Sequence, residues 1–125
     1  MSFLMDTHAH LMDDAFKDDY NDFMARTLAL HAVINIGCNF DDAEAAVASA
    51  HEHANVYAAV ALHPEDAPKY TDEGWVRLAE LAGDARVIAI GETGLDYYWN
   101  TASHEEQCAL LARHVALAKA LHKPL

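Results

Sequence analysis

Two apolar patterns alternate along this chain. Short runs that are apolar nearly throughout, such as Ala32-Val33-Ile34-Asn35-Ile36 and Val87-Ile88-Ala89-Ile90, are separated by longer stretches where apolar residues recur every three or four positions. The first pattern predicts buried strands and the second amphipathic helices. Strands are expected over residues 3–7, 32–36, 55–62 and 86–90, with Phe3-Leu4-Met5 as a short buried strand, and Pro124-Leu125 enters a fifth. Helices are expected over about residues 19–31, 41–54, from Thr71 or Asp72 to Gly83, and from 103 to about 122. Asp41 with Glu44 three residues on, and Ser103 with Glu106, have the spacing of capping boxes. Gly83 stands where a glycine just past a helix end would. Trp75, Leu78 and Leu81 fall on one side of the third helix, and Leu111, Val115 and Ala118 form the expected inner face of the last.

Four strand-then-helix units with strands this apolar predict an α/β fold built on a parallel sheet covered by helices. Two architectures satisfy that pattern: an open doubly wound sheet, or the N-terminal half of a (β/α)8 TIM barrel, whose usual length is about 250 residues. Length favours the first. The placement of polar residues favours the second, because His8 and His10 follow strand one, His63 follows strand three and Glu92 follows strand four, as on the C-terminal rim of a barrel. No glycine-rich dinucleotide or phosphate loop follows the first strand, and Gly91-Glu92-Thr93-Gly94 lacks the lysine and helix start of one.

The candidate chemistry centres on Asp6-Thr7-His8-Ala9-His10. In a strand, residues i and i+2 point to one face roughly 6.6 Å apart, so two imidazoles there can tilt toward a common divalent ion. The bland alternative is a chance pair, which a chain with nine histidines produces readily. His51 and His53 have the same spacing in an Ala-rich helical stretch, where such positions diverge around the axis. Glu92, between two glycines at a strand end, suits a metal ligand able to bridge two ions, or is an ordinary polar residue capping the strand. Asp96-Tyr97-Tyr98-Trp99 puts an acid and three aromatics in the following loop, where the rings either stack on a base or sugar or bury against the next helix.

With 125 residues and 53% apolar content, residues 1–125 are expected to form one domain with a real core. No run of about 18 apolar residues suggests a membrane span and no secretory signal is evident, so a cytoplasmic location is expected. Cys38 and Cys108 lack metal or redox spacing and are expected as reduced, buried or half-buried thiols. A formal charge of −12 argues against capture of nucleic acid by basic side chains, but leaves open a phosphate held by metal ions. The acids Asp13, Asp14, Asp18 and Asp19 read as a solvated face. His31, His104, His114 and His122 read as helix-surface or cap residues.

Met5-Asp6-Thr7-His8-Ala9-His10-Leu11, Ala61-Leu62-His63-Pro64 and Gly91-Glu92-Thr93-Gly94-Leu95-Asp96-Tyr97-Tyr98, in this order and spacing, make the whole chain similar to the N-terminal half of the TatD family of metal-dependent deoxyribonucleases. The resemblance implies an amidohydrolase-type (β/α)8 barrel that cleaves phosphodiester bonds in DNA with metal-activated water. It implies two divalent ions per full-length site (Mg, Zn or Mn), with His8 and His10 on one and Glu92 bridging both as the catalytic carboxylate. It places His63 near the substrate phosphate and Asp96, Tyr97 and Tyr98 on the substrate rim. The family takes further ligands, two histidines and an aspartate, from strands five, six and eight. These lie beyond Leu125, so the chain is expected to be a truncated form, weakly active or inactive. The competing expectations are a related hydrolase of esters or amides such as aminoacyl-tRNA, and a non-catalytic metal-binding fragment that self-associates. The outer edges of strands one and four are expected to be open, and two copies could close a ring as a homodimer.

Overall fold

The computed structural model describes residues 3–125. Four strands, β1 (Met5–Ala9), β2 (Ala32–Gly37), β3 (Val56–Val60) and β4 (Val87–Ile90), form one sheet in the order β1-β2-β3-β4, with every pair parallel. Between and after them lie α1 (Tyr20–Thr27), α2 (Phe40–Glu52), α3 (Asp72–Ala82) and α4 (His104–Leu121), with short 3-10 turns at Asp14–Phe16 and Pro64–Lys69. A doubly wound sheet reverses its strand order partway. This sheet does not, and its sequential order is that of four consecutive units of a (β/α)8 barrel.

The two faces of the sheet differ accordingly. Val33, Val56, Ala58, Val60, Val87 and Ile90 pack with Ala43, Ala46, Val47 and Ala50 of α2, Leu78 and Ala82 of α3 and Ala118 of α4 in one buried core. On the other face Ile34, Ile36, Ala59 and Ala89 line an open cavity of about 540 Å³ together with Thr7, His8, Glu92, Leu111 and Leu125.

The strand and helix order follows the sequence pattern, and the departures have identifiable physical causes. β1 starts later than expected and is not buried: Phe3, Leu4 and Met5 are 72, 62 and 55% exposed, because among the described residues only β2 pairs with it. The residue that goes into the core is Leu11, whose N–H is held at 3.0 Å by the buried Asn35 Oδ1. α1 ends at Thr27, whose hydroxyl donates back to the Phe23 carbonyl at 3.0 Å. α2 begins at Phe40 rather than at Asp41, because Asn39 is extended and its side chain accepts the Asp42 N–H at 2.9 Å. An N-cap needs that backbone geometry, and Asn supplies the oxygen without the box. At the other end of α2, Arg86 donates to the carbonyls of Ala50, His53, Ala54 and Val56, satisfying groups that a helix terminus leaves open.

Gly83 caps α3 in right-handed rather than left-handed geometry. The Ser103–Glu106 capping box is present as read. The buried row of α4 is turned from the one expected: Gln107, Leu110, His114 and Ala118 face inward, whereas Leu111 and Val115 are half-buried. His114 is therefore fully buried rather than a surface residue. Cys38 is half-buried, but Cys108 is exposed rather than covered, and both thiols are free. The expected open edge of β4 is partly taken, since Ile90 N–H donates to the Pro124 carbonyl at 2.9 Å. That bond lays residue 124 beside β4, where an entry to a fifth strand is expected, although no strand is formed there among the described residues. No helix among the described residues is long and apolar enough to cross a membrane.

Gly37 is required by a close approach. A Cβ there would lie 2.5 Å from Ala43 Cα and 2.9 Å from the Asp42 carbonyl, both backbone atoms of α2. Gly37→Ala is expected to destabilise the fold by about 1–3 kcal/mol through overpacking that rigid contact. A denaturant midpoint equal to that of the wild type would contradict it.

Candidate functional site

The C-terminal ends of the strands are tied together by backbone bonds that continue past the regular ladder. Ala61 N–H reaches the Gly37 carbonyl at 3.1 Å, His63 N–H the Cys38 carbonyl at 2.7 Å, and Gly91 N–H the Val60 carbonyl at 3.2 Å. These bonds set Cys38, His63 and Glu92 side by side on one rim. The first strand reaches the same rim through an irregularity. Asp6 pairs with Val33 and Ala9 with Asn35, so β1 spends three steps where β2 spends two. Asp6 Oδ1 takes the His8 N–H at 3.0 Å within this bulge. Bulges re-aim side chains, and they recur beside active sites.

His8, His10 and Glu92 thereby converge, each offering a donor atom within 4.8 Å of the others. The two rings meet edge to face with centroids 5.2 Å apart. His8 Nε2 lies 3.2 Å from Glu92 Oε2, while the other carboxylate oxygen, Oε1, faces His63 Nε2 at 3.9 Å. Two imidazoles and a carboxylate, accessible and closely spaced, are a donor set that fits a divalent ion.

His63 caps the turn that follows it. Glu65 N–H donates to its Nδ1 at 3.3 Å, so in the neutral ring the proton sits on Nε2, the nitrogen that faces Glu92. Glu65, which the sequence reading did not single out, joins His63 and Asp96 in a second group of donor atoms within 4.8 Å of one another. The only signal for it is a carboxylate two residues beyond His63, and that becomes meaningful only once the 3-10 turn folds it back.

Asp96, Tyr97 and Tyr98 divide. Asp96 Oδ1 accepts the Tyr98 N–H at 3.0 Å, which tightens the loop. Tyr97 stacks on His104 of α4 at 3.7 Å between centroids. Tyr98 is 80% exposed and touches Trp99 edge to face at 4.7 Å. The structure does not place Tyr98 in the His8, His10 and Glu92 cluster. His51, by contrast with His8, pairs with Asp84 at 2.9 Å, far from that cluster in sequence and on another element. Cys38 Sγ lies 3.8 Å from Glu92 Oε2, and burial together with that carboxylate pushes its thiol up to about 12.

Two buried polar residues of α4 hold the loop that carries Glu92 and Asp96. Gln107 accepts the Asp96 N–H at 2.7 Å and returns a hydrogen bond to the Asp96 carbonyl at 2.7 Å. His114 Nε2 accepts the Leu62 N–H at 3.1 Å, and its Nδ1 lies 3.0 Å from Thr93 Oγ1. Burial drives the His114 imidazole down to about 4, against a smaller opposing pull from the Leu110 carbonyl. The stability this neutral ring contributes is full above about pH 6.5, where the unfolded chain also leaves it neutral, and is withdrawn as pH falls toward 4.

The family profile described as TatD related DNase matches residues 5–125. The chain belongs to the TatD family. It is similar to the "Uncharacterized metal-dependent hydrolase YabD" of Bacillus subtilis, with 32% identity over 98% of this chain and 49% of that protein. It is also 31% identical to the "3'-5' ssDNA/RNA exonuclease TatD" of Cronobacter sakazakii, over 98% of this chain and 47% of that one. Among solved structures it resembles YJJV, a TatD homolog from Escherichia coli, with a TM-score of 0.85 and 28% identity across 97% of this chain and 48% of that chain. This TatD chain thus spans about half the length of the curated relatives it matches. The four parallel units are the N-terminal half of a TatD-type barrel, and membership of a metal-dependent hydrolase family implies a divalent metal.

Proposed function

We propose that residues 1–125 form a single half-barrel domain of a nuclease, and that the domain contributes His8, His10 and Glu92 to a divalent metal centre for phosphodiester hydrolysis in DNA. The observation that carries this reading is the convergence of those three donors at the strand ends of a TatD fold. Held by these residues, a divalent ion would supply Lewis-acid chemistry: polarisation of the phosphoryl group, a more acidic water and a counter-charge for the departing oxygen. The chain's own groups then have distinct roles. His8 and His10 would hold the ion through ring nitrogens. Glu92 would supply a carboxylate oxygen beside them, its two oxygens facing His8 at 3.2 Å and His63 at 3.9 Å. His63 presents a fixed Nε2–H donor to a phosphate oxygen. Asp96 and Tyr98 shape the rim on which the nucleotide lies, with the exposed Tyr98 ring offering a stacking surface. With a net charge of −12, phosphate reaches this rim through cations rather than through basic side chains.

The relative from Cronobacter sakazakii, named as acting on single-stranded DNA and RNA from the 3′ end, supplies the substrate for the test. Manganese-dependent binding of a 3′-labelled single-stranded oligonucleotide is expected by fluorescence anisotropy, lost with chelator and in Glu92→Ala. Cleavage is expected to run about 10³-fold or more below that of a full-length relative, since removing members of a coupled catalytic set removes most of the rate. Chelator-insensitive cleavage, or hydrolysis of an aminoacyl ester with no binding of the oligonucleotide, would overturn the nuclease reading.

A further inference from the structure

His114 is the one fully buried histidine of the chain's described residues, it lies on α4 rather than on a strand end, and the chemistry above makes no use of it. Its contacts are nonetheless aimed at the site from behind. Leu62, whose N–H it accepts at 3.1 Å, immediately precedes His63. Thr93, whose hydroxyl lies 3.0 Å from its other nitrogen, immediately follows Glu92. The indole of Trp75 from α3 closes against the ring at 5.0 Å between centroids in an edge arrangement, which excludes water from it.

The hydrogen-bond pattern fixes the ring's state. A backbone N–H can only donate, so Nε2 must hold a lone pair, and a neutral imidazole then carries its proton on Nδ1. That proton faces Thr93 Oγ1 at 3.0 Å and is shared with the Leu110 carbonyl of the preceding turn. One side chain is therefore simultaneously an acceptor for the end of β3 and a donor to the loop after β4. Both bonds lie in a buried setting, where an unmet polar group costs most.

We propose that His114 is a positioning residue that sets His63 and Glu92 relative to each other, tying the β3 end to the β4 end through the Leu62 N–H and the Thr93 hydroxyl. This rests on the metal-centre reading of Glu92. His114 touches neither an ion nor a substrate. It acts one bond further out than the direct hydrogen-bond partners of metal ligands, whose loss typically weakens metal affinity by about 10–100-fold, so the lower end of that range is expected here.

Three variants separate this role from simple core packing. Gln at position 114 keeps one acceptor and one donor. Leu at that position fills the space but has neither. Thr93→Val removes the hydroxyl alone with little change of shape, and it serves if His114→Leu does not fold. Titration calorimetry of the 125-residue chain with Mn²⁺ is expected to give His114→Gln an affinity close to wild type, while Thr93→Val and His114→Leu bind about 10-fold or more weakly. Amide hydrogen exchange read by NMR is expected to show the Leu62 N–H unprotected in His114→Leu and protected again in His114→Gln. The loss of stability between about pH 6.5 and 4 is expected to flatten in His114→Gln, because the titrating ring is gone.

Folded Thr93→Val and His114→Leu proteins that hold Mn²⁺ as tightly as wild type would overturn the proposal. So would a folded His114→Gln protein as weak as His114→Leu. If the wild-type chain itself takes up no Mn²⁺, the metal-centre reading fails separately. The Leu62 exchange then decides the tie alone: restored protection in His114→Gln upholds it, and exchange unchanged across the variants overturns it.

Discussion

Glu92→Ala is expected to lower the affinity of the 125-residue chain for a divalent ion by about 100-fold or more, beyond the range typical of outer-shell partners. His8→Ala and His10→Ala are expected to do the same, because a three-donor site with open positions has no redundancy. Glu92 is the most sensitive of the three, since it supplies the negative charge and faces both His8 and His63. Its loss also leaves the fold nearly intact, as the side chain is only partly buried. His51→Ala serves as the control. Its imidazole is committed to Asp84 at 2.9 Å, so removing it should leave affinity unchanged. Calorimetry on the four proteins checks this. Equal loss in His51→Ala would mean that the ion is held by general surface charge.

The second large effect concerns assembly. The chain is expected to self-associate at micromolar concentration through the outer edge of β1 and the β4 side of the sheet, where residues 124–125 lie. Phe3, Leu4 and Met5 at one end of the sheet and Leu125 at the other are each more than half exposed, and an unpaired β edge is a template for another strand. Two copies related by a two-fold axis would bring β1 of each to the β4 side of the other, where residues 124–125 lie, closing a ring that covers the open face lined by Ile34, Ile36 and Ala59. Light scattering across a concentration series is expected to give a mass near twice the monomer. A lysine at Leu4, in Leu4→Lys, is expected to shift it to monomer. A folded wild-type monomer down to low micromolar concentration would contradict the pairing.

The sequence made the alternation and the rim legible for a physical reason. Strands buried between helices and a barrel interior must be apolar on both faces, so β2, β3 and β4 announce themselves as unbroken runs. Glycines and His63-Pro64 mark their ends. The candidate cluster was legible with them, because His8, His10 and Glu92 sit at those ends. What stayed hidden was polar and tertiary. Counting apolar residues turned α4 toward Leu111 and Val115, whereas the inward row holds Gln107 and His114 because the backbone N–H groups of Asp96 and Leu62 and the hydroxyl of Thr93 find their hydrogen-bond partners there. Asn35 escaped notice in the same way, as a polar residue inside an apolar strand that holds the Leu11 N–H just past His10. β1 misled in the opposite direction: its apolar residues match a strand with a neighbour on each side, and among the described residues only β2 pairs with it. The β1 bulge that brings His8 beside His10 and Glu92 has no composition signal, since it is a matter of register.

The most direct test of the central claim is an anomalous difference map from crystals of the chain grown with Zn²⁺. The account predicts the strongest peak about 2.1 Å from ring nitrogens of His8 and His10 and from a carboxylate oxygen of Glu92. A strongest peak among His63, Glu65 and Asp96, with no density at the first three residues, would contradict it.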